Sequence, residues 1–490
     1  MLGGLTLLLS VASAAYGNLI PQLDGYNSSF AHVCDLISSS ISQESSVHYL
    51  GTAAYQKDIY HWASSSTQHS ACTVEPGSVR DVANVLQIVG QTQTPFAVKS
   101  GGHSTNPNFS SSPGVLIALY QFNEIKFDPA SQTVSFGTGL IWDDVYAALA
   151  PYNVSVLGAR VTGLGVGFVL GGGYAWKSNQ YGLALDTITA FELVKPDGSV
   201  VTVTEESDSE LFFGLKGGYN NFGVVTRITM QTFPQTNVWG GPLTYPATSM
   251  SAVTAAVIKF SATNTDPKAN IAASYDCFAA IPFSIVFLYY DAPSPPQGLF
   301  DDFFKIPIHQ SNVGERSLLD YIKLPPAGNS TANIRSAFNT VPILRYTEGL
   351  MRVIEEENLK WCVKELAATG PFVTYTAEPF LPTILGHSTL SSAYPPTRDM
   401  VFSPFLIYFA WLDGALDNQV FNNIKESAAR IRQAVIEDGQ NITGAPKYPN
   451  YALFDTPVDE IYGGNVNRLK ALRSRVDPSN VMGLAGGFRF

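Results

Sequence analysis

Apolar and polar positions change rhythm several times along this chain. A polar, Ser-rich stretch runs from 15 to 65, with a helical patch around Phe30 to Ile41. Pro76-Gly77-Ser78 then leads into Val82 to Val89, where apolar residues recur at helical spacing and predict an amphipathic helix. Thr94 to Val98 reads as a short buried strand that ends in Gly101-Gly102-His103-Ser104. From 115 to 240, short β-rich runs alternate with turn signals. Val115 to Leu119, Thr133 to Gly137, Ile188 to Val194 and Val200 to Thr204 are strand-like, and Lys195-Pro196-Asp197-Gly198 is a hairpin signal between the last two. Val224 to Thr232 alternates with period two. Further on, Phe283 to Tyr290 and Phe402 to Trp411 are apolar strand candidates, while Val353 to Leu366 and Phe421 to Ile436 look helical. A last helix over Val466 to Val476 is stopped by Asp477-Pro478-Ser479-Asn480. The mixture predicts an α+β protein without internal repeats.

The 490 residues leave room for two to four domains at roughly 150 residues each. The changes in texture place expected boundaries at 1–14, 15–67, 68–236, 237–440 and 441–490. Hydrophobic residues make up 45% and charged residues 14%, too much core material and too little charge for a disordered chain. The net charge is −11 and no Lys/Arg block occurs, so the basic face of a nucleic-acid binder is missing.

The first 14 residues read as a secretory signal. Leu2 to Val11 is mostly apolar and uncharged, and Ala12-Ser13-Ala14 fits a small-residue cleavage site, although no Lys or Arg precedes it. Asn-x-Ser/Thr sequons at Asn27, Asn108, Asn153, Asn329 and Asn441 agree with export and glycosylation. In an oxidising compartment Cys34 and Cys72 could pair, and Cys277 and Cys362 could pair or stay as buried thiols. No CxxC spacing occurs, so neither zinc nor thioredoxin chemistry is expected. No later run reaches about 18 uninterrupted apolar residues, so no membrane span is expected.

Three glycine-rich segments carry the candidate chemistry. Lys99-Ser100-Gly101-Gly102-His103-Ser104 follows a buried strand, and its glycines let backbone approach a ligand closely. Thr162 to Tyr174 holds six glycines in eleven positions, from Gly163 to Gly173, which no ordinary strand or helix interior tolerates. It is not a dinucleotide fingerprint, because Phe168 stands where the third glycine would be, and it is not a phosphate loop, because Tyr174 follows Gly173. A backbone pressed against a large flat cofactor and its diphosphate remains. Gly214 to Thr226 then feeds the alternating strand. Alone, each segment also reads as a glycine-rich turn.

In this order and spacing the three segments resemble the FAD-binding domain of the vanillyl-alcohol-oxidase/PCMH superfamily, in its berberine-bridge-enzyme-like branch of the fungal secreted type. The resemblance covers about 70 to 235. It resumes at Tyr448-Pro449-Asn450-Tyr451, Tyr462-Gly463, Arg468-Leu469 and Asp477-Pro478. It implies a two-part PCMH-type FAD domain (15–67, 68–236 and 441–490) around an inserted substrate domain (237–440), an antiparallel sheet covered by helices. It also implies that His103 bonds covalently to the flavin 8α-methyl. Many members add a cysteine just before the Gly-x-Gly segment; here that neighbourhood is Gly158-Ala159-Arg160-Val161-Thr162, so a single link is expected. Cys34 and Cys72 match the family's N-terminal disulfide in position. Implied FAD contacts are Ser100, Gly101, Gly102, Ser104, Thr162, Gly163, Gly165, Gly167, Gly172, Gly173, Gly223, Val224, Val225 and Asn450.

The reaction this implies is hydride transfer from a substrate C–H to flavin, with O2 as the acceptor and a side-chain base for the substrate proton. Tyr448 and Tyr451 lie where the family places an active-site tyrosine; either could instead be a packed aromatic, and Tyr448 is the stronger candidate. Glu378 and Asp413 follow strand-like runs where substrate-side acids often lie, and the bland reading of each is a surface or turn carboxylate. Asn450 and Asn465 could position flavin or substrate, or merely cap turns. His61 and His69 read as surface residues, and no metal site is expected. The expected partners are a small molecule and O2, on a monomer. A small secondary metabolite is favoured over a sugar. An oligosaccharide oxidase, a redox-neutral FAD-dependent cyclase and a flavin-free binding protein on the same scaffold are the competing readings.

Overall fold

The computed structural model describes residues 30–325, 332–367 and 372–490. The leader over 1–14 and the sequons at Asn27 and Asn329 lie outside them. Helix α1 (Ala31–Ser40) buries Val33, Cys34 and Ile37 against helix α2 (Val79–Thr92), whose first turn is capped by the Ser78 hydroxyl accepting from Asp81 N. Beside them lies a four-stranded sheet of β1 (Ser46–His48), β2 (Cys72–Glu75), β3 (Phe96–Lys99) and β4 (Val115–Ala118), in the order β1-β2-β4-β3, with β4 parallel to both its neighbours. A disulfide between Cys34 and Cys72 ties α1 to β2.

A second sheet is antiparallel, in the order β5-β6-β9-β7-β8. Its strands are β5 (Ile125–Asp128), β6 (Thr133–Gly137), β7 (Ile188–Val194), β8 (Val200–Val203) and β9 (Val224–Gln231). The hairpin signal at Lys195–Gly198 does join β7 to β8, with Lys195 N donating to Ser199 O at 2.8 Å.

The third sheet is larger and antiparallel. Its strands β10 (Val238–Pro246), β11 (Ala269–Phe278), β12 (Ile281–Tyr290), β13 (Arg335–Ile343), β14 (Phe372–Ala377) and β15 (Ser403–Trp411) lie in the order β10-β12-β11-β14-β15-β13. Helices α3 (Met250–Thr263), α4 (Glu348–Ala367) and α5 (Asp417–Glu437) cover one face. Strand side chains alternate between faces. Tyr275, Cys277, Val286, Val373 and Tyr375 pack with Trp361 and Ile424 of the helices, and Cys277 is disulfide-bonded to Cys362 of α4. Their neighbours in sequence, such as Ser274, Asp276, Ile285, Phe287, Thr374 and Thr376, face the other way and line a cavity. Helix α6 (Val466–Val476) and the C-terminal tail return to the first part: Val481, Met482 and Ala485 pack with α2 and β3, and Phe96 bridges Ala485.

Candidate active site

The cavity between the glycine-rich segments and the open face of the large sheet measures about 1080 Å³. The Ser100–Ser104 loop and the Gly165–Gly167 segment form one wall. The two strips touch backbone to backbone: a Cβ on Gly101 would sit 2.5 Å from Gly165 N. Gly102 holds φ +71°, a left-handed turn that brings His103 to the cavity and suits glycine. Asp143 pins the next loop, accepting from Thr162 Oγ1 at 2.5 Å and Gly163 N at 2.9 Å. No local pattern in the sequence marked Asp143 for this work.

His103 stacks on Trp62 with ring centroids 4.5 Å apart and planes 14° from parallel. Its Nε2 is buried and has no hydrogen-bond partner among the described residues. Burial pushes the imidazole down to about 4, so the ring is neutral at physiological pH and keeps a free lone pair. A neutral imidazole whose buried Nε2 has no partner among the described residues, beside glycine backbone in a cavity this large, fits a bound flavin.

Of the anticipated flavin contacts, Ser100, Gly101, Gly102, Ser104, Gly165 and Gly167 line the cavity. Gly223, Val224, Val225 and Asn450 line it too. Thr162, Gly163, Gly172 and Gly173 do not. Gly163 lies behind His103, where an added Cβ would be 3.9 Å from the ring, and Gly172 gives room to Tyr394 and Tyr448. Asn450 fixes the closing segment: its Nδ2 donates to Phe168 O at 2.9 Å and to the Tyr448 hydroxyl at 2.8 Å, and its Oδ1 accepts from the Tyr219 hydroxyl at 2.5 Å.

The two tyrosines divide. Tyr448 is buried behind the cavity lining, where its hydroxyl also accepts from Tyr174 N at 3.4 Å, and burial pushes it up to about 12 against the opposing bond from Asn450. Tyr451 lines the cavity and meets two partners. Arg160 Nη2 donates to the Tyr451 hydroxyl at 2.6 Å and to Glu378 Oε1 at 2.8 Å, and the Tyr451 hydroxyl donates to the same Oε1 at 3.1 Å. Arg160 lies between the rings of Trp176 and Phe380, at 5.7 and 5.8 Å from their centroids. Burial alone would lower Arg160; the charge of Glu378 outweighs it and holds the guanidinium charged. Burial raises Tyr451 well above an ordinary phenol and raises Glu378, with Arg160 opposing both. Glu378 Oε2 is buried and has no partner among the described residues.

Two expectations change here, those for Glu378 and His61, while Asp413 keeps its turn reading. Glu378, whose bland reading was a surface carboxylate, is 3% exposed and forms an ion pair with Arg160. Asp413 is an exposed turn residue, accepting from Ala415 N at 2.9 Å. His61 is not a surface residue: its ring is buried, with Nε2 2.9 Å from Ser110 Oγ and Nδ1 2.8 Å from Ile59 O. Its sequence neighbourhood shows no partner pattern, because the partner Ser110 lies 49 residues away along the chain. Asn465 donates to Ser392 O and Ala393 O, away from the cavity.

Asp276 is a carboxyl that sequence reading missed. It is 2% exposed and, among the described residues, accepts from the Ser274 hydroxyl at 2.5 Å and the Thr374 hydroxyl at 2.7 Å. Burial pushes it up to about 6 against those two bonds. The folded value exceeds the unfolded value of about 3.9, so the folded protein binds more protons, and stability falls as pH rises through that window. Asp276→Asn removes the charge. It is expected to unfold at higher urea than wild type at pH 7, by about 2–3 kcal/mol at most, with the difference closing by about pH 4.

Comparison with known proteins agrees with this geometry. Residues 70–204 match the FAD binding domain family, and residues 447–485 match the family described as berberine and berberine like. An uncharacterized FAD-linked oxidoreductase of Arthroderma benhamiae is 35% identical over 262 residues, 52% of each chain, so the match spans about half of that relative. The FAD-dependent monooxygenase drtC of Aspergillus calidoustus is 29% identical over 459 residues, 88% of this chain and 84% of its own. Among solved structures, BBE-like 1 of Physcomitrella patens has the same fold, with a TM-score of 0.75 at 17% identity over 92% of this chain and 97% of its own.

Proposed function

Since the chain carries both of these segments and belongs to the berberine-bridge-enzyme-like, FAD-linked oxidoreductases, we propose that it is a secreted oxidase acting on an alcohol or amine C–H of a small secondary metabolite. The observation that carries this reading is the Arg160–Tyr451–Glu378 cluster, set in the same cavity wall system as the unpartnered His103 ring. FAD, when bound, supplies the hydride acceptor. His103 holds it by a single covalent link, and the glycine backbone of the Gly101 and Gly165 strips lies against it.

The chain's own task is the proton. Tyr451 is a neutral phenol at rest, because burial raises it, and it already donates to Glu378. The substrate proton therefore goes to Tyr451 Oη as the phenolic proton moves to Glu378 Oε1, and the Arg160 guanidinium holds both oxygens in place. Tyr448 serves from behind, as a hydrogen-bonded support for Asn450 and the Tyr174 backbone.

The two halves of the work follow the expected boundaries: 15–67, 68–236 and 441–490 for flavin, 237–440 for substrate. One core cluster lies mostly within 237–440, around Tyr275, Trp361 and Ile424, while another joins the two parts, with Tyr321 and Tyr394 packed among residues of 134–230. Apolar side chains such as Phe283, Ile285, Phe287, Phe338 and Leu406 line much of the substrate side and favour a carbon-rich metabolite over a sugar. A relative named as a monooxygenase supports O2 as the partner. Two disulfides and exposed sequons at Asn108, Asn153 and Asn441 support export. No helix among the described residues is long and apolar enough to cross a membrane.

The test is anaerobic bleaching of the flavin band against two panels: phenolic, alkaloid and polyketide alcohols and amines, and oligosaccharides. Bleaching by the first panel is expected. Bleaching by the sugars alone would replace the proposed substrate class, and a colourless protein would remove the enzyme reading altogether.

A further inference from the structure

The substrate side of the cavity has an unbalanced charge. Among the described residues that line it, only Arg160, Glu378 and Asp276 are Arg, Lys, Asp or Glu. Arg160 is paired with Glu378 at 2.8 Å. Asp276 has no cationic partner among the described residues; its contacts there are the Ser274 and Thr374 hydroxyls. Each carboxylate oxygen keeps acceptor capacity beyond one hydroxyl bond. A buried carboxylate with hydroxyl donors and no counter-charge is costly, and a positive ligand group would offset that cost.

Its placement is defined by the sheet. Asp276 is the register partner of Thr374, and Ser274 of Thr376, on the adjacent strands β11 and β14. Ala273 pairs with Ala377, so Glu378 continues β14 toward the flavin end, four residues from the Thr374 level. At about 3.3 Å per residue, Asp276 lies about 13 Å along the strand direction from the reacting end. Between the two levels lies a row of hydroxyls, Ser274 and Thr376, with Thr374 beside Asp276 itself. Beside that row Ile285 and Phe287 on one strand and Leu406 and Tyr408 on another give an apolar border.

We propose that Asp276 is a specificity-determining residue that receives an ammonium group of the substrate, at the end of the cavity opposite the Tyr451–Glu378 pair. This rests on reading the cavity as the substrate site. The preferred substrate is then a bifunctional, elongated molecule: an oxidisable C–H at one end, a carbon-rich body over the apolar border, and a protonated amine about 13 Å away. A neutral hydroxyl at that place would bond to Asp276 but leave its charge uncompensated. Charge-assisted bonds of the N⁺–H to O⁻ kind are roughly twice as strong as neutral ones, so an ammonium should win over an alcohol of equal length.

The probes are ω-phenylalkylammonium ions and the equally long ω-phenylalkanols, in a series of chain lengths, titrated calorimetrically and anaerobically into the full-length protein. Wild type is expected to bind the ammonium member of the best-fitting pair on the order of tenfold more tightly than the alcohol, with an optimum at intermediate length. Asp276→Asn should bring the ratio to within about threefold of unity. Asp276→Ser, a second neutral variant that keeps a hydrogen-bonding side chain beside Thr374, should do the same if the first does not fold. A wild type without ammonium preference overturns the proposal, and so does a preference that survives in a folded variant. Heat of binding does not require the flavin to react. A wild type that bleaches its flavin normally but shows no ammonium preference therefore rejects this inference alone, whereas a colourless protein rejects the enzyme reading.

Discussion

Tyr451→Phe is expected to slow flavin reduction by about two to four orders of magnitude, while the protein keeps its flavin and its fold. The phenylalanine retains the ring packing against Tyr448, whose centroid lies 4.9 Å away, and removes only the hydroxyl that links the cavity to Glu378. Glu378→Gln should fall in the same range, because a neutral amide cannot take the phenolic proton. The double variant should be little worse than either single one, since the two groups form one relay and their effects do not add. Tyr448→Phe separates this assignment from its rival. That hydroxyl lies behind the lining and accepts from Asn450 and from Tyr174 N. Its loss should destabilise the protein by about 1–3 kcal/mol and leave the reduction rate within about tenfold of wild type. Stopped-flow reduction under anaerobic conditions, with urea melts on the same proteins, reads both quantities. Should Tyr448→Phe cost orders of magnitude and Tyr451→Phe little, the relay must be reassigned to Tyr448.

Sequence alone carried the elements whose periodicity is local. The helix expected over Val466 to Val476 and the strands expected over Thr133 to Gly137 and Ile188 to Val194 have those bounds in the fold. The alternation of Val224 to Thr232 survives because β9 lies between two antiparallel neighbours and must bury one side of each pair. The glycine segments were legible for a different reason: only residues without Cβ permit the contact between Gly101 and Gly165, so the requirement is written into residue type. The Arg160–Tyr451–Glu378 cluster had no such signature. Arg160 stands 218 residues from Glu378 and 291 from Tyr451, and no spacing rule reaches across three segments. Arg160 drew notice only as part of the stretch lacking a cysteine. Asp276 was hidden by the same limit. The alternation of Ser274 and Asp276 with the core residues Tyr275 and Cys277 marks a strand with a polar face. That this face closes over a cavity, and that no cation meets the carboxyl there, follows only from the packing of sheet against the first part of the chain.

His103→Ala should convert a protein that keeps its flavin through acid precipitation into one that releases all of it. The other imidazole among the described lining residues, His309, lies beside Thr244 on the substrate-side sheet and not in the glycine wall. The cysteine that many relatives place before the glycine run is missing from Gly158–Thr162, and all four cysteines of the chain are in disulfides. The ring is held ready by stacking on Trp62, and its Nε2 has no competing hydrogen bond among the described residues. Because burial lowers the imidazole to about 4, it is neutral throughout the range in which the protein would work. Attachment to apoprotein should therefore hold a constant rate from about pH 8 downward and fall only as pH approaches about 4, where the ring takes up a proton and loses its lone pair. An ordinary histidine would begin to lose rate near about 6.5. The alanine variant keeps the glycine backbone and should still bind FAD non-covalently, which makes the covalent bond the quantity being read. Tethering also changes the cofactor electronically, and the potential of released-type flavin in His103→Ala should be lower than in wild type. Substrate reduction should then slow even with the site full. Complete flavin release from wild-type protein would reject the tether and leave the Arg160–Tyr451–Glu378 relay standing on its own geometry.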